Sequence, residues 1–187
     1  MVYNIIMTTI PFENAYVEDV LSLDQAKELS ETVEHYLKTL DITENEYDKN
    51  SSAPVKILRK MMGRIAVQNL PLPDSCLESF TNLIKDSGFD GYTYASNTTY
   101  LEYRNEYGIP KLPSHRDGDG PDSVIIDYCL MTNIEWPIII DEKSFILKEN
   151  SAVLFDGVNQ YHSRAPRKLE DKDFEKVILI KFTKENK

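Results

Sequence analysis

The sequence predicts an α+β domain in which helices pack on a jelly roll or barrel of about eight strands. Apolar residues recur at helical spacing up to about residue 90. From Tyr92 onward they come in short runs separated by turn signals. The scale agrees: 187 residues, 41% of them hydrophobic, suit one domain able to bury roughly 70% of its unfolded surface. No repeat, low-complexity tract or linker interrupts the chain. The expectation is a single domain over 1–187, with 1–90 as mainly helical support and 91–187 as the jelly-roll core.

A short strand is expected around Val2–Thr9. Ser22 and Gln25 match a capping box, after which Leu23, Ala26, Leu29, Val33, Leu37 and Leu40 recur on one helical face. The polar stretch from Asp41 to Ser52 reads as a loop. Pro54 suits the first turn of a second helix that buries Val55, Leu58, Met62 and Ile65. Asp74 can cap a third helix, with Leu77, Phe80, Leu83 and Ile84 inward and Gly88 just past its end.

Eight short strands are expected after that: Thr98–Tyr103, Leu112–Asp117, Val124–Met131, Pro137–Asp141, Ser144–Leu147, Ala152–Phe155, Gln160–Arg164 and Lys176–Thr183. Gly118-Asp119-Gly120, Glu149-Asn150 and Asp156-Gly157 punctuate them.

Charge narrows the function classes. A formal net charge of −10 makes nucleic acid an improbable partner, because affinity for phosphate comes largely from clustered Lys and Arg. Cys76 and Cys129 form no CxxC pair, so reduced thiols in a cytoplasmic protein are expected. The N-terminus lacks a basic, then apolar, leader pattern, and no window approaches the ~20 apolar residues of a membrane span.

Three histidines occur in the chain, and two of them lie in its strand-rich half. His115-Arg116-Asp117 places a histidine and a carboxylate at i and i+2, on one side of a strand about 6.6 Å apart. Arg116 then faces away. His162 lies 45 residues beyond Asp117, on a strand that a folded barrel can bring alongside. Two imidazoles and a carboxylate on one face form the facial triad of non-haem Fe(II) oxygenases, which leaves coordination positions open. HxD alone is a weak signal, and a surface turn is its plain alternative. In the last strand, period two puts Lys176, Ile178, Ile180 and Phe182 on one face. If that face lines the pocket, Lys176 is an ammonium at the rim of an apolar cavity, suited to the distal carboxylate of a small diacid.

The stretch from Tyr100 to Phe182 resembles the Fe(II)- and 2-oxoglutarate-dependent dioxygenases, most closely their prolyl-hydroxylase-like branch. The matching pieces are Tyr103, His115-Arg116-Asp117-Gly118-Asp119-Gly120, the strand Val124–Met131, Ala152-Val153-Leu154-Phe155-Asp156-Gly157 and Tyr161-His162-Ser163-Arg164-Ala165-Pro166. The resemblance implies a double-stranded β-helix with N-terminal helices packed on one sheet. It makes His115, Asp117 and His162 the iron ligands and catalytic centre, with O₂ and 2-oxoglutarate as cosubstrates. It puts Lys176 in the place of the basic residue that holds the 2-oxoglutarate C5 carboxylate, and Tyr103 in that of a tyrosine beside it. The implied reaction hydroxylates a peptidyl proline or similar C–H and releases succinate and CO₂.

One departure bears on the cosubstrate. Arg164 stands two places after His162, where the family often has an apolar or small residue, and by strand period it shares that face. It can hold the 2-oxoglutarate carboxylate in place of Lys176, hold a carboxylate on the substrate through a bidentate fork, or pair with a surface acid. The substrate is a peptide or protein, or alternatively a free amino acid or other small molecule. A non-catalytic metal- or ligand-binding jelly roll is the third reading. Asp117–Asp122 lacks the fifth and twelfth ligands of an EF-hand, since Pro121 and Tyr128 stand there. His35 reads as an ordinary helix residue, and Trp136 as either near the mouth or packing an edge. The sequence does not address oligomeric state.

Overall fold

A computed structural model describes residues 14–40, 62–117 and 122–184, and the backbone of 55–57. The strand expected at Val2–Thr9, the loop from Asp41 to Ser52 and the Gly118–Gly120 turn lie outside the described residues.

In chain order the elements are β1 (Ala15–Val17), α1 (Leu23–Thr39), β2 (Val55–Ile57), β3 (Arg64–Gln68), α2 (Asp74–Asp86), β4 (Tyr92–Arg104) and β5 (Leu112–His115). Then follow β6 (Ser123–Thr132), β7 (Ile138–Ile140), β8 (Lys143–Phe145), β9 (Ser151–Asp156), β10 (His162–Arg164) and β11 (Phe174–Lys184). They form two antiparallel sheets. The larger has the order β1-β9-β6-β11-β4-β3-β2 and the smaller β5-β10-β7-β8. Every strand neighbour is antiparallel. Two facing sheets that exchange consecutive strands, with helices outside the larger one, make the double-stranded β-helix.

The helices are held as their sequences dictate. Ser22 Oγ accepts from the Gln25 amide at 3.3 Å, and Gln25 Oε1 accepts from the Ser22 amide at 3.0 Å, so the capping box forms. Gln25 Nε2 also donates to the Ser75 carbonyl and to Ser79 Oγ, tying α1 to α2. In α2 the N-cap is Pro73 rather than Asp74. Asp74 is instead the first helical residue, where its charge still favours the helix dipole. Leu29, Val33, Phe80 and Ile84 are fully buried against Tyr100, Ile126, Tyr128, Ile178, Ile180 and Phe182 of the larger sheet.

The second predicted helix does not extend over the residues expected of it. Val55 and Ile65 lie on paired strands β2 and β3 at the edge of the larger sheet, Met62 is helical, and Leu58 lies outside the described residues. Gly63 explains the break. Its φ of +59° is left-handed, and a Cβ there would stand 2.6 Å from the Ile109 carbonyl carbon, so neither helix geometry nor a side chain fits.

Both faces of the larger sheet are buried. One meets the helices; the other meets the smaller sheet through Leu101, Tyr103, Ile125, Cys129, Val153, Phe155 and Val177. Strand β6 is therefore buried from Ser123 to Leu130 without alternation, as expected for a strand covered on two sides.

Candidate metal centre

Strands β5 and β10 are neighbours in the smaller sheet, and their register pairs His162 directly with His115. Asp117 follows two residues after His115. The candidate ligand atoms of the three residues all lie within 4.8 Å of one another. His115 Nε2 is 3.3 Å from one Asp117 oxygen, and His162 Nε2 is 3.6 Å from the other. The rings of His115 and His162 have their centroids 4.2 Å apart. Arg116 turns outward over the ring of Tyr161, as period two requires.

The donor set suits a cation. Nδ1 of His115 donates to the Pro113 carbonyl at 2.8 Å, because a carbonyl can only accept. That bond leaves the neutral ring's lone pair on Nε2, facing Asp117. His162 is buried, and burial drives its pKa down to about 4 against the pull of Asp117, so the ring is neutral near pH 7. Its Nδ1 is buried without a hydrogen-bond partner. Burial pushes the Asp117 carboxyl up, but the His115 hydrogen bond and the charges of His162, His115 and Arg64 outweigh it and hold the pKa low. The pKa of His115 is raised, chiefly by its contact with Asp117. Two imidazole lone pairs and a carboxylate converging on one point repel each other unless a proton or a metal ion stands between them. Two histidines and one carboxylate fit Fe(II) with positions left open.

The triad forms one wall of a small cavity between the sheets, of about 40 Å³. Leu101, Leu112, Phe155, Val177 and Leu179 supply apolar lining, while Arg64, Tyr103, Asp127 and Arg164 supply polar groups. Phe155 packs on the His162 ring at 4.7 Å.

The remaining predicted site residues divide. Tyr103 lines the cavity, buried edge-on against Trp136 at 4.9 Å. Trp136 itself is an interior residue, its Nε1 donating to the Ala165 carbonyl. Arg164 points inward and is 3% exposed, which excludes the surface-acid pairing. It donates to the Trp136 carbonyl and to Glu175, and Asp127 lies 3.6 Å from its Nη2.

Lys176 does not reach the cavity. Its face carries Ile178, Ile180 and Phe182, and that face packs toward the helices. Val177 and Leu179 line the cavity instead. The ammonium of Lys176 lies over the Phe174 ring, 5.9 Å from its centroid. The parity expected for β11 is thus reversed.

Arg64 and Asp127 are polar cavity groups that the sequence did not single out, and Glu175 is a buried acid behind them, paired with Arg164. An acid between Ile126 and Tyr128 in an apolar strand was a visible signal for Asp127. Burial pushes the carboxyls of Asp127 and Glu175 up, with Arg164 pulling against it. A guanidinium stays charged, so two acids on one guanidinium leave a surplus negative charge that raised pKa values relieve. His35 is exposed on α1, as expected.

No protein-family model matches the chain, and no curated protein matches it in sequence. Solved structures do match in fold. A prolyl-4-hydroxylase from Pseudomonas putida superposes with a TM-score of 0.64 at 12% identity, over 92% of this chain and 93% of that one. AviO1 from Streptomyces viridochromogenes gives 0.63 at 15%, over 92% and 90%. The carbocyclase SnoK of nogalamycin biosynthesis, described as non-haem and α-ketoglutarate-dependent, gives 0.66 at 9%, over 91% and 79%. The chain has the fold of the 2-oxoglutarate oxygenases. Among the described residues, no helix is long and apolar enough to cross a membrane.

Proposed function

We propose that this chain is an Fe(II)- and 2-oxoglutarate-dependent hydroxylase of the prolyl-hydroxylase-like kind, oxidising a peptidyl proline or similar C–H with release of succinate and CO₂. The observation that carries the reading is the convergence of His115, Asp117 and His162 within 4.8 Å on the wall of a cavity. A surface HxD turn would not bring a third ligand from another strand.

His115, Asp117 and His162 hold the metal; the Pro113 carbonyl fixes the His115 ring, and Asp117 offsets part of the ionic charge. When bound, the metal and 2-oxoglutarate together supply the oxidising power for O₂-dependent C–H hydroxylation. This chain's residues position and seclude. Phe155, Leu101, Val177 and Leu179 keep the cavity wall apolar and exclude water beside the metal-binding atoms. Tyr103, locked by Trp136, holds its hydroxyl at a fixed place in that wall.

Anaerobic addition of Fe(II) and 2-oxoglutarate should give a weak visible charge-transfer band that His162→Ala abolishes. Its absence in the wild type at saturating ligand would sink the reading. A free amino acid or other small molecule is the second substrate class, favoured by the likeness to SnoK, a carbocyclase of nogalamycin biosynthesis, standing level with that to the prolyl hydroxylase. Succinate release screened against proline-containing peptides and free amino acids separates the two. A non-catalytic binder would show the band and no succinate with any substrate.

A further inference from the structure

Two guanidinium groups line the cavity among the described residues, and their surroundings differ in kind. Arg164 is already ion-paired with Glu175 and Asp127 and donates to the Trp136 carbonyl, although its Nη2, like Nε of Arg64, is buried without a hydrogen-bond partner. Arg64 has no carboxylate partner among the described residues. Its Nη1 donates to the Tyr103 hydroxyl at 2.7 Å, and its Nε is buried with no hydrogen-bond partner at all. A buried guanidinium donor left unmatched is costly unless something else completes it.

Its position follows from the sheet. Arg64 pairs with Tyr103 across β3 and β4, and it shares the face of Ala66, which belongs to the core between the sheets. It lines the same cavity as His115, Asp117 and His162, so it stands close to the candidate metal centre. The Tyr103 hydroxyl accepts from Arg64 and keeps its own proton to donate. Two N–H and O–H donors converging from neighbouring strands, one of them cationic, are complementary to a carboxylate. Lys176 faces the other way, and an anion approaching Arg164 would meet Asp127 and Glu175.

We propose that Arg64, together with the Tyr103 hydroxyl, binds a carboxylate of 2-oxoglutarate in this cavity, the task for which the sequence put forward Lys176 or Arg164. The proposal rests on the 2-oxoglutarate reading above, and one titration series tests both. Mn(II) is titrated calorimetrically into the wild type, Arg64→Gln, Arg64→Lys, Tyr103→Phe and Lys176→Gln, and 2-oxoglutarate then into each Mn(II)-loaded protein. Arg64→Gln should weaken 2-oxoglutarate at least tenfold while binding Mn(II) no more weakly than wild type, since removing a nearby cation does not repel a metal ion. Arg64→Lys should recover part of the loss by keeping the charge without the fork. Tyr103→Phe should cost less, and Lys176→Gln should change nothing.

If Arg64→Gln, or Arg64→Lys where the glutamine variant fails to fold, binds 2-oxoglutarate within twofold of wild type, the proposal is overturned. A parallel fall in Mn(II) affinity would overturn it too, because the residue would then be shaping the metal centre rather than holding the anion. If the Mn(II)-loaded wild type does not bind 2-oxoglutarate, the functional reading itself fails and takes this proposal with it.

Discussion

The two charged clusters at the cavity are built from similar residues and do opposite things with them. In one, His115, Asp117 and His162 turn three acceptors toward a common point, with Arg64 nearby lacking any acidic partner among the described residues. In the other, Asp127, Arg164 and Glu175 turn their charges on each other and are almost wholly buried. An inward-facing charge is therefore not by itself a binding group. What matters is whether the protein has already compensated it.

The largest effect should come from removing the compensation around Arg164. Glu175→Ala should destabilise the fold by about 3–5 kcal/mol, because Arg164 loses its principal counter-charge in a dry site. Urea unfolding at constant slope would read this. Replacing Glu175 and Arg164 together with apolar residues of similar volume should recover much of the loss. A loss in the double variant equal to the single would show that packing, rather than the charge pair, was removed.

At the metal centre the same kind of truncation should leave stability nearly intact and abolish binding. His162→Ala should lower Fe(II) or Mn(II) affinity by at least about 100-fold, given that even outer-shell partners are worth 10–100-fold. Calorimetry would show it. Metal binding that survives in this variant would remove the triad from the mechanism.

A smaller effect concerns pH. In the metal-free protein, His162 has its pKa lowered to about 4 by burial, against about 6.5 when unfolded. The unfolded chain therefore binds more protons between these values, so the stability due to neutral His162 is present above about pH 6.5 and is lost as pH falls toward 4. His115 and Asp117 shift in the opposite and the same sense respectively: His115, raised, adds stability below its unfolded pKa, and Asp117, lowered, loses it only under more acid conditions. His162→Gln should flatten the decline between pH 6.5 and 4 in urea midpoints; an unchanged slope would mean that His162 is charged in the fold. Smallest of all, Lys176→Ala should alter 2-oxoglutarate affinity by less than about twofold, since the half-buried Lys176 lies outside the cavity and has no ion pair among the described residues. A tenfold loss would restore the parity expected from the sequence.

Much of this was legible before the structure. The capping box of Ser22 and Gln25, the apolar face of α2 and the short strands from Leu112 onward are local patterns, and local patterns survive folding. His115, Asp117 and His162 could be grouped because strand period and residue chemistry agree. Lys176 failed for a physical reason. Strand β11 is covered on both sides, so Val177 and Leu179 are as apolar as Ile178 and Ile180, and alternation cannot tell which face meets the cavity. Arg64 was hidden by a different error. Val55, Leu58, Met62 and Ile65 match a helical stripe, yet Gly63 and the hydrogen-bonding edge of β4 turn the residues from Arg64 onward into a strand. Read as a strand, Arg64 falls on the face of Ala66, and an inward arginine would have been noticed. Nothing local announced that Glu175 would meet Arg164, because that pairing depends on how two sheets stack.

The register that sets His115 opposite His162 has one more consequence. Strand β5 is an edge strand of the smaller sheet and among the described residues has a neighbour on one side alone. An ion gripped by residues from β5 and β10 would act as a rivet through the rim of the sandwich, fastening an edge strand to the next. Supply of metal would then govern how firmly the whole structure holds together as well as what it catalyses, since whatever associates with the native state alone adds to its stability.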